Sequence, residues 1–222
     1  MGFAGIDILI FIAVAVFLFF RLRDTLGTKT GSERKRHTLF DKNEEKKETA
    51  LDDGKVIDIK PKFENDAVKN ADKDTVSALT RIALGDPDFR PEEFLEGAKN
   101  AFEYIVENFA SGDKEALEPL LSHELMDAFE AIIDERAKKD HVATTDILNV
   151  KKAEILRAFL NNDKAYITVR FVADETKYLE DEDGTLIEGD PEQIHEIKDI
   201  WTFERPIRNV DPNWILVETN VD

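Results

Sequence analysis

The sequence predicts an α+β protein in which helices come first and a meander of four antiparallel strands follows, a curved sheet wrapping its apolar face over the helices. Three observations carry this. Apolar residues recur with the helical period from Thr75 to about Lys139, and from Ala153 onward the period drops to two. Ahead of Thr75 neither period holds: a very apolar segment is followed by a long charged one. The expected layout is an anchor over 1–23, a charged linker over 24–74, and a body of about three helices on four strands over 75–222.

The apolar segment runs from Ile8 to Phe20, with Phe11 and Phe17 inside it and no polar side chain. Its 13 residues rise only about 20 Å as a helix, but extension to Gly2–Leu22 gives about 31 Å, enough to cross the hydrocarbon core with Asp7 near an interface. A cleaved signal peptide fits less well, because the basic residues follow the apolar run and the Ala-x-Ala triplet Ala13–Ala15 lies inside it. Arg21, Arg23, Lys29, Arg34, Lys35 and Arg36 crowd one flank, so the positive-inside rule predicts a single pass with the N-terminus outside and the body cytoplasmic. The same basic flank is suited to anionic phospholipid headgroups.

The linker is dense in Lys, Glu and Asp and reads as a mobile tether. One β-prone island, Val56-Ile57-Asp58-Ile59, interrupts it and is expected either to be plain linker or to dock on the body or on a partner's sheet edge.

In the body, the first helix presents Val76, Leu79, Ile82 and Ala83 and stops at Gly85-Asp86-Pro87. The second opens at Pro91, places Glu92 and Glu93 in its first turn, and carries Phe94, Ala98, Phe102, Ile105 and Phe109 before Gly112 ends it. Asp113 caps a third stretch over Lys114–Lys139, with a break expected around Ser122. The polar His141–Asp146 reads as a connection. Two strands follow, the first with Ala153, Ile155 and Phe159 inward, the second with Ala165, Ile167, Val169 and Phe171 inward, joined at Asn161–Asp163. An acidic connection with Gly184 and Gly189 leads to strands over Ile194–Ile207 and Asn213–Thr219.

Composition narrows the function. Of 222 residues, 48 are acidic against 30 basic, a formal charge of −18, which excludes a nucleic-acid binder because phosphate recognition needs a basic footprint. Residues 1–20 carry −1 and 21–40 carry +4, leaving −21 for 41–222. No cysteine is present, which removes disulfides, thiol nucleophiles and thiolate metal sites. There is no HisGluxxHis, no glycine-rich phosphate loop and no nucleophile elbow, and no cofactor is expected. The acidic Glu180–Gly184 lacks the spacing of a calcium loop and reads as a solvated hairpin tip, so no metal is expected.

Asp86-Pro87-Asp88-Phe89, Phe94–Ala98, Ala101–Glu103, Leu120–Ser122, Val169–Phe171, Gly189–Pro191, Asp199–Glu204 and Asp211–Trp214 together resemble the Tim-forty-four-like family, the C-terminal domain of the mitochondrial import-motor anchoring subunit and its bacterial membrane-anchored members. The resemblance covers about Thr75 to Asn220. It implies a cone-like fold similar to nuclear transport factor two, with a pocket between helices and sheet, and a non-enzymatic, membrane-associated adaptor. The expected partners are translocation or membrane-complex proteins at the inner (cytoplasmic) membrane, with a peptide or lipid as possible pocket ligand. The linker shows no match to the mitochondrial protein's chaperone-binding region.

Strand parity places His195, Ile197, Asp199, Trp201 and Phe203 on one face. His195 and Asp199 are the candidates for an alternative pocket enzyme of isomerase or dehydratase type. Trp201, Phe203, Trp214, Phe171 and Phe102 are expected to fill core or line a pocket. The opposite row, Glu196, Lys198, Thr202 and Glu204, is the expected face for partner contact.

Overall fold

The computed structural model of the chain describes residues 66–207 and 211–222, so the anchor, its basic flank and the Val56–Ile59 island lie outside the described residues. Among the described residues no helix is long and apolar enough to cross a membrane.

Among the described residues, four helices cover one face of a four-stranded antiparallel sheet of order β1-β2-β3-β4. A 3-10 turn at Asp66–Val68 precedes α1 (Lys73–Gly85), and the buried Val68 joins the core, so packing begins upstream of Thr75. Asp72 caps α1 by accepting from the Thr75 amide at 2.7 Å. α2 (Pro91–Ser111) starts with Pro at its first position and ends at Gly112, whose φ of 79° is the left-handed cap. Arg136 reinforces that end by donating to the Phe109 carbonyl at 2.8 Å.

The third helical stretch is two helices. α3 (Lys114–Leu117), capped by Asp113, passes through a 3-10 turn and ends before Leu121, which is extended and bridges to Leu216. Ser122 then donates its amide to the Leu216 carbonyl at 2.9 Å, and its hydroxyl caps α4 (His123–Ala137). The break thus serves to tie the helical layer to the last strand.

The strands are longer than the two-residue period shows: β1 is Val142–Asn161, β2 Lys164–Glu180, β3 Leu186–Pro206 and β4 Ile215–Val221. Residues expected to form the connection at His141–Asp146 belong to β1 from Val142 on, where Thr144 and Thr145 pair with Tyr178 and Lys177. Their alternation is hidden by bulges between Ile147 and Asn149 and between Val150 and Lys152. A third bulge, between Ile155 and Arg157, reverses the parity of the rest of β1. Ala158 is therefore buried while Phe159 turns to the outer face, stacks on Tyr166 at 4.7 Å and lies under Arg157, contrary to the inward position expected for it.

Gly189 is inside β3, not in the connection. Its φ is 82°, it pairs with Tyr178, and an added Cβ would fall 2.8 Å from the Tyr178 Cα and closer still to the Lys177 carbonyl. Beside it the ladder jumps from His195 opposite Glu175 to Asp190 opposite Lys177, pushing Pro191–Ile194 out of the pairing. The hairpin tip folds on itself: the Asp181 carboxylate accepts from the amides of Asp183 and Thr185 at 3.0 and 2.8 Å.

The core lies between α2 and the middle of the sheet, where Phe102 stacks on Phe171 at 4.6 Å and meets Trp201 at 4.8 Å. All three are buried.

Candidate functional site: an aromatic groove at the sheet end

At the end of the sheet where β3 finishes, the loop after α1, the first turns of α2 and the segment before β4 enclose a groove of about 730 Å³. Its floor is apolar, built from Phe94, Ala98, Ala101, Phe203 and Trp214, and its rim carries Asp88, Arg90 and Glu93. The aromatic rings are mutually braced. Phe94 meets Trp214 edge-on at 4.9 Å and Phe203 edge-on at 5.9 Å, and Phe89 lies 6.1 Å from Trp214.

Arg205 holds this end together. It shares the inward parity of Trp201 and Phe203, and a buried arginine must find partners there. It pairs with the Asp86 carboxylate, donates to the Pro212 carbonyl at 3.1 Å and lies over the Trp214 ring at 4.9 Å. Asp86 also accepts from the Asp88 amide at 3.2 Å, and Arg90 donates to the Pro87 carbonyl at 2.7 Å, so the loop is shaped by its own polar groups. One side chain thus joins the Asp86–Phe89 loop, the end of β3 and the Asp211–Trp214 segment. Sequence parity reached Phe203 and stopped one step short of it: two more residues along the same face is Arg205, and an inward arginine is itself the signal.

The five aromatic candidates separate. Phe102, Phe171 and Trp201 are core, whereas Phe203 and the half-buried Trp214 line the groove.

His195 and Asp199 sit elsewhere, toward the middle and far half of β3, and line neither the groove nor a smaller cleft of about 260 Å³ between α2 and the start of β1. Asp199 is half-buried opposite Phe171, and burial pushes its carboxyl up to about 7; the negative charge of Glu175 adds to this and Lys177 opposes it. Glu175 is buried and its carboxylate is 3.3 Å from the Lys177 ammonium. Among the described residues, no three His, Asp or Glu side chains converge to hold a metal.

Of the outer row Glu196, Lys198, Thr202 and Glu204, two are exposed and two are not. Thr202 is buried, its hydroxyl 3.0 Å from that of Thr168, because β4 covers this stretch of β3; Glu204 is half-buried and paired with Lys164. Glu196 and Lys198 are exposed.

Residues 75–221 match the Tim44-like domain. The chain belongs to the Tim44-like family. TIM44-1 of Arabidopsis thaliana, a mitochondrial import inner membrane translocase subunit, is 22% identical over 153 residues, covering 68% of this chain and 31% of its own length. The probable translocase subunit tin-44 of Caenorhabditis elegans is 23% identical over 160 residues, 70% of this chain and 37% of its own. Uncharacterized protein RP434 of Rickettsia prowazekii (strain Madrid E) is 22% identical over 222 residues, 95% of each chain. The chain therefore spans about a third of the length of the two translocase subunits. Asp86–Phe89, Phe94, Ala98, Phe203 and Pro212–Trp214, all inside the matched range, converge on the groove.

Proposed function

We propose that this Tim44-like chain is a non-enzymatic adaptor that captures a partner protein at the cytoplasmic face of an inner membrane, in protein translocation, insertion or membrane-complex assembly. The observation that carries this reading is the groove: separate segments of the Tim44-like domain are locked by Arg205 into one apolar cleft with a charged rim, a shape that takes an apolar side chain flanked by polar groups. An N-terminal anchor over 1–23, single-pass with the N-terminus outside, and a charged linker fit this role. Tethering raises the local concentration of the domain to about the mM range for membrane partners, so a modest interface suffices. The relatives' names as translocase subunits support translocation as the setting. His195 and Asp199 line neither the groove nor the smaller cleft, so the groove gives no support to the isomerase or dehydratase alternative.

Site-specific photo-crosslinking in native membranes tests the proposal. A photoreactive residue replacing Asp88 or Glu93 on the groove rim should give a discrete adduct with a membrane-complex protein, while one replacing Lys198 on the outer face should not. Rim adducts with lipid alone would replace the adaptor reading with a lipid-binding one, and equal labelling from all three positions would remove the groove from the interface.

A further inference from the structure

The outer edge of β1 is half covered. In its upper part the Ala158 amide donates to the Thr75 hydroxyl at 3.4 Å, the Asn70 amide group donates to Glu154 at 2.8 Å, and both α1 and the Asp66–Val68 turn pack on the strand. From Val142 to Asn149 the same edge pairs with no strand among the described residues, and Val142 and Leu148 are 53% and 51% exposed. An uncovered edge of this length is a site for strand addition, which folded proteins normally cover or blunt.

We propose that Val56–Ile59 of the same chain covers it, adding as a fifth strand parallel to β1 beside about Thr144–Ile147. The reach and direction both fit. The described chain enters at Asp66, whose turn packs on β1 near the Asn70–Glu154 contact. Ile59 and Asp66 are seven residue steps apart, an extended span of about 24 Å. Ile147 and Glu154 are likewise seven steps apart along β1, about 23 Å. A chain rising along the edge from Val56 to Asp66 therefore runs in the direction of β1 without a reversal. Ile57 and Ile59 then share one face and Asp58 takes the other, which matches an edge where Ile147 packs against the core and Asp146 is exposed. Pro61 has no amide to donate and falls beyond the paired stretch, where a strand tolerates it. The tether makes pairing intramolecular, at an effective concentration in about the mM range that a separate peptide would not match.

The absence of native cysteine makes the test clean. In the full-length protein in detergent micelles, Asp58→Cys is combined in turn with Thr144→Cys, Asp146→Cys and Leu148→Cys, then oxidised. At least one pair should form an intramolecular disulfide whose yield is independent of protein concentration, while Asp58→Cys with Lys198→Cys should not. In parallel, hydrogen exchange across Ala143–Asn149 should accelerate about tenfold or more in Ile57→Pro/Ile59→Pro, because the edge amides lose their partners. Disulfides only between chains would assign the edge to a second copy and overturn the proposal. Unchanged exchange in the proline variant would overturn it as well, and neither substitution touches the folded core.

Discussion

Replacing Asp199 with asparagine should flatten the pH dependence of stability. The unfolded carboxyl titrates near 3.8, while in the folded chain burial, with Glu175 beside it, raises it to about 7. A group whose folded value is raised favours folding while it is protonated: its contribution is complete below pH 3.8 and is lost as pH rises toward and through 7. At about 1.4 kcal/mol per unit, the three-unit gap corresponds to about 4 kcal/mol over the whole window, and about 2.5 kcal/mol of it falls between pH 5 and pH 8. The assay is urea unfolding of full-length protein in a non-ionic detergent, followed by tryptophan fluorescence, with Trp201 in the core as a native reporter. Wild type should lose about 2.5 kcal/mol more than Asp199→Asn between those pH values, and the variant should be the more stable at pH 8. Glu154, held down to about 2 chiefly by Lys152, does not titrate in the window and leaves the comparison undisturbed. Glu175→Gln should shrink the gap by removing the neighbouring charge. Identical pH slopes for wild type and Asp199→Asn would refute the reasoning that this carboxyl is kept protonated by its surroundings.

Three further outcomes follow from the packing. Gly189→Ala should destabilise by about 2 kcal/mol or more in the same urea assay, since φ is 82° and the new methyl meets the Lys177–Tyr178 backbone. Phe102→Ala should cost about 3–5 kcal/mol, because the fully buried ring leaves a void between Phe171 and Trp201. Arg205→Met should cost about 3 kcal/mol by stranding Asp86, and Asp86→Asn added to it should return part of that loss; a strictly additive double variant would show that the pair is not coupled.

The helical layer was legible in the sequence because its cues are local: Pro91 and the acidic first turn, Gly112, Asp113 and Ser122 each act within one turn of themselves. The strands were legible only where their period is unbroken. Leu156 is the residue at which alternation misleads, since one extra residue moves Phe159 to the far face, and nothing in the residues around it marks a bulge. Gly189 was visible as a turn residue but not as a paired residue inside a strand, because positive φ is the mark of a turn and only the partner strand decides. The groove was half legible: parity found Phe203, the turn residues found Asp211–Trp214, and the contact between Arg205 and Asp86, 119 positions apart, has no local signature.

That long-range contact separates what stabilises the groove from what a partner would touch. Arg205 is buried, with Asp86, the Pro212 carbonyl and Trp214 around it, so its charge is committed to holding two loops against the end of β3. Asp88 and Glu93 are exposed and carry no such duty beyond the Asp88 amide, whose bond to Asp86 does not need the Asp88 side chain. Substitution at the rim should therefore alter crosslinking with little change in unfolding, whereas Arg205→Met should alter both. If Glu93→Ala left crosslinks from a probe at Asp88 intact, and Asp88→Ala those from a probe at Glu93, while Trp214→Ala abolished both without shifting the urea midpoint, the apolar floor would be the recognition element and the charged rim only its solvated border.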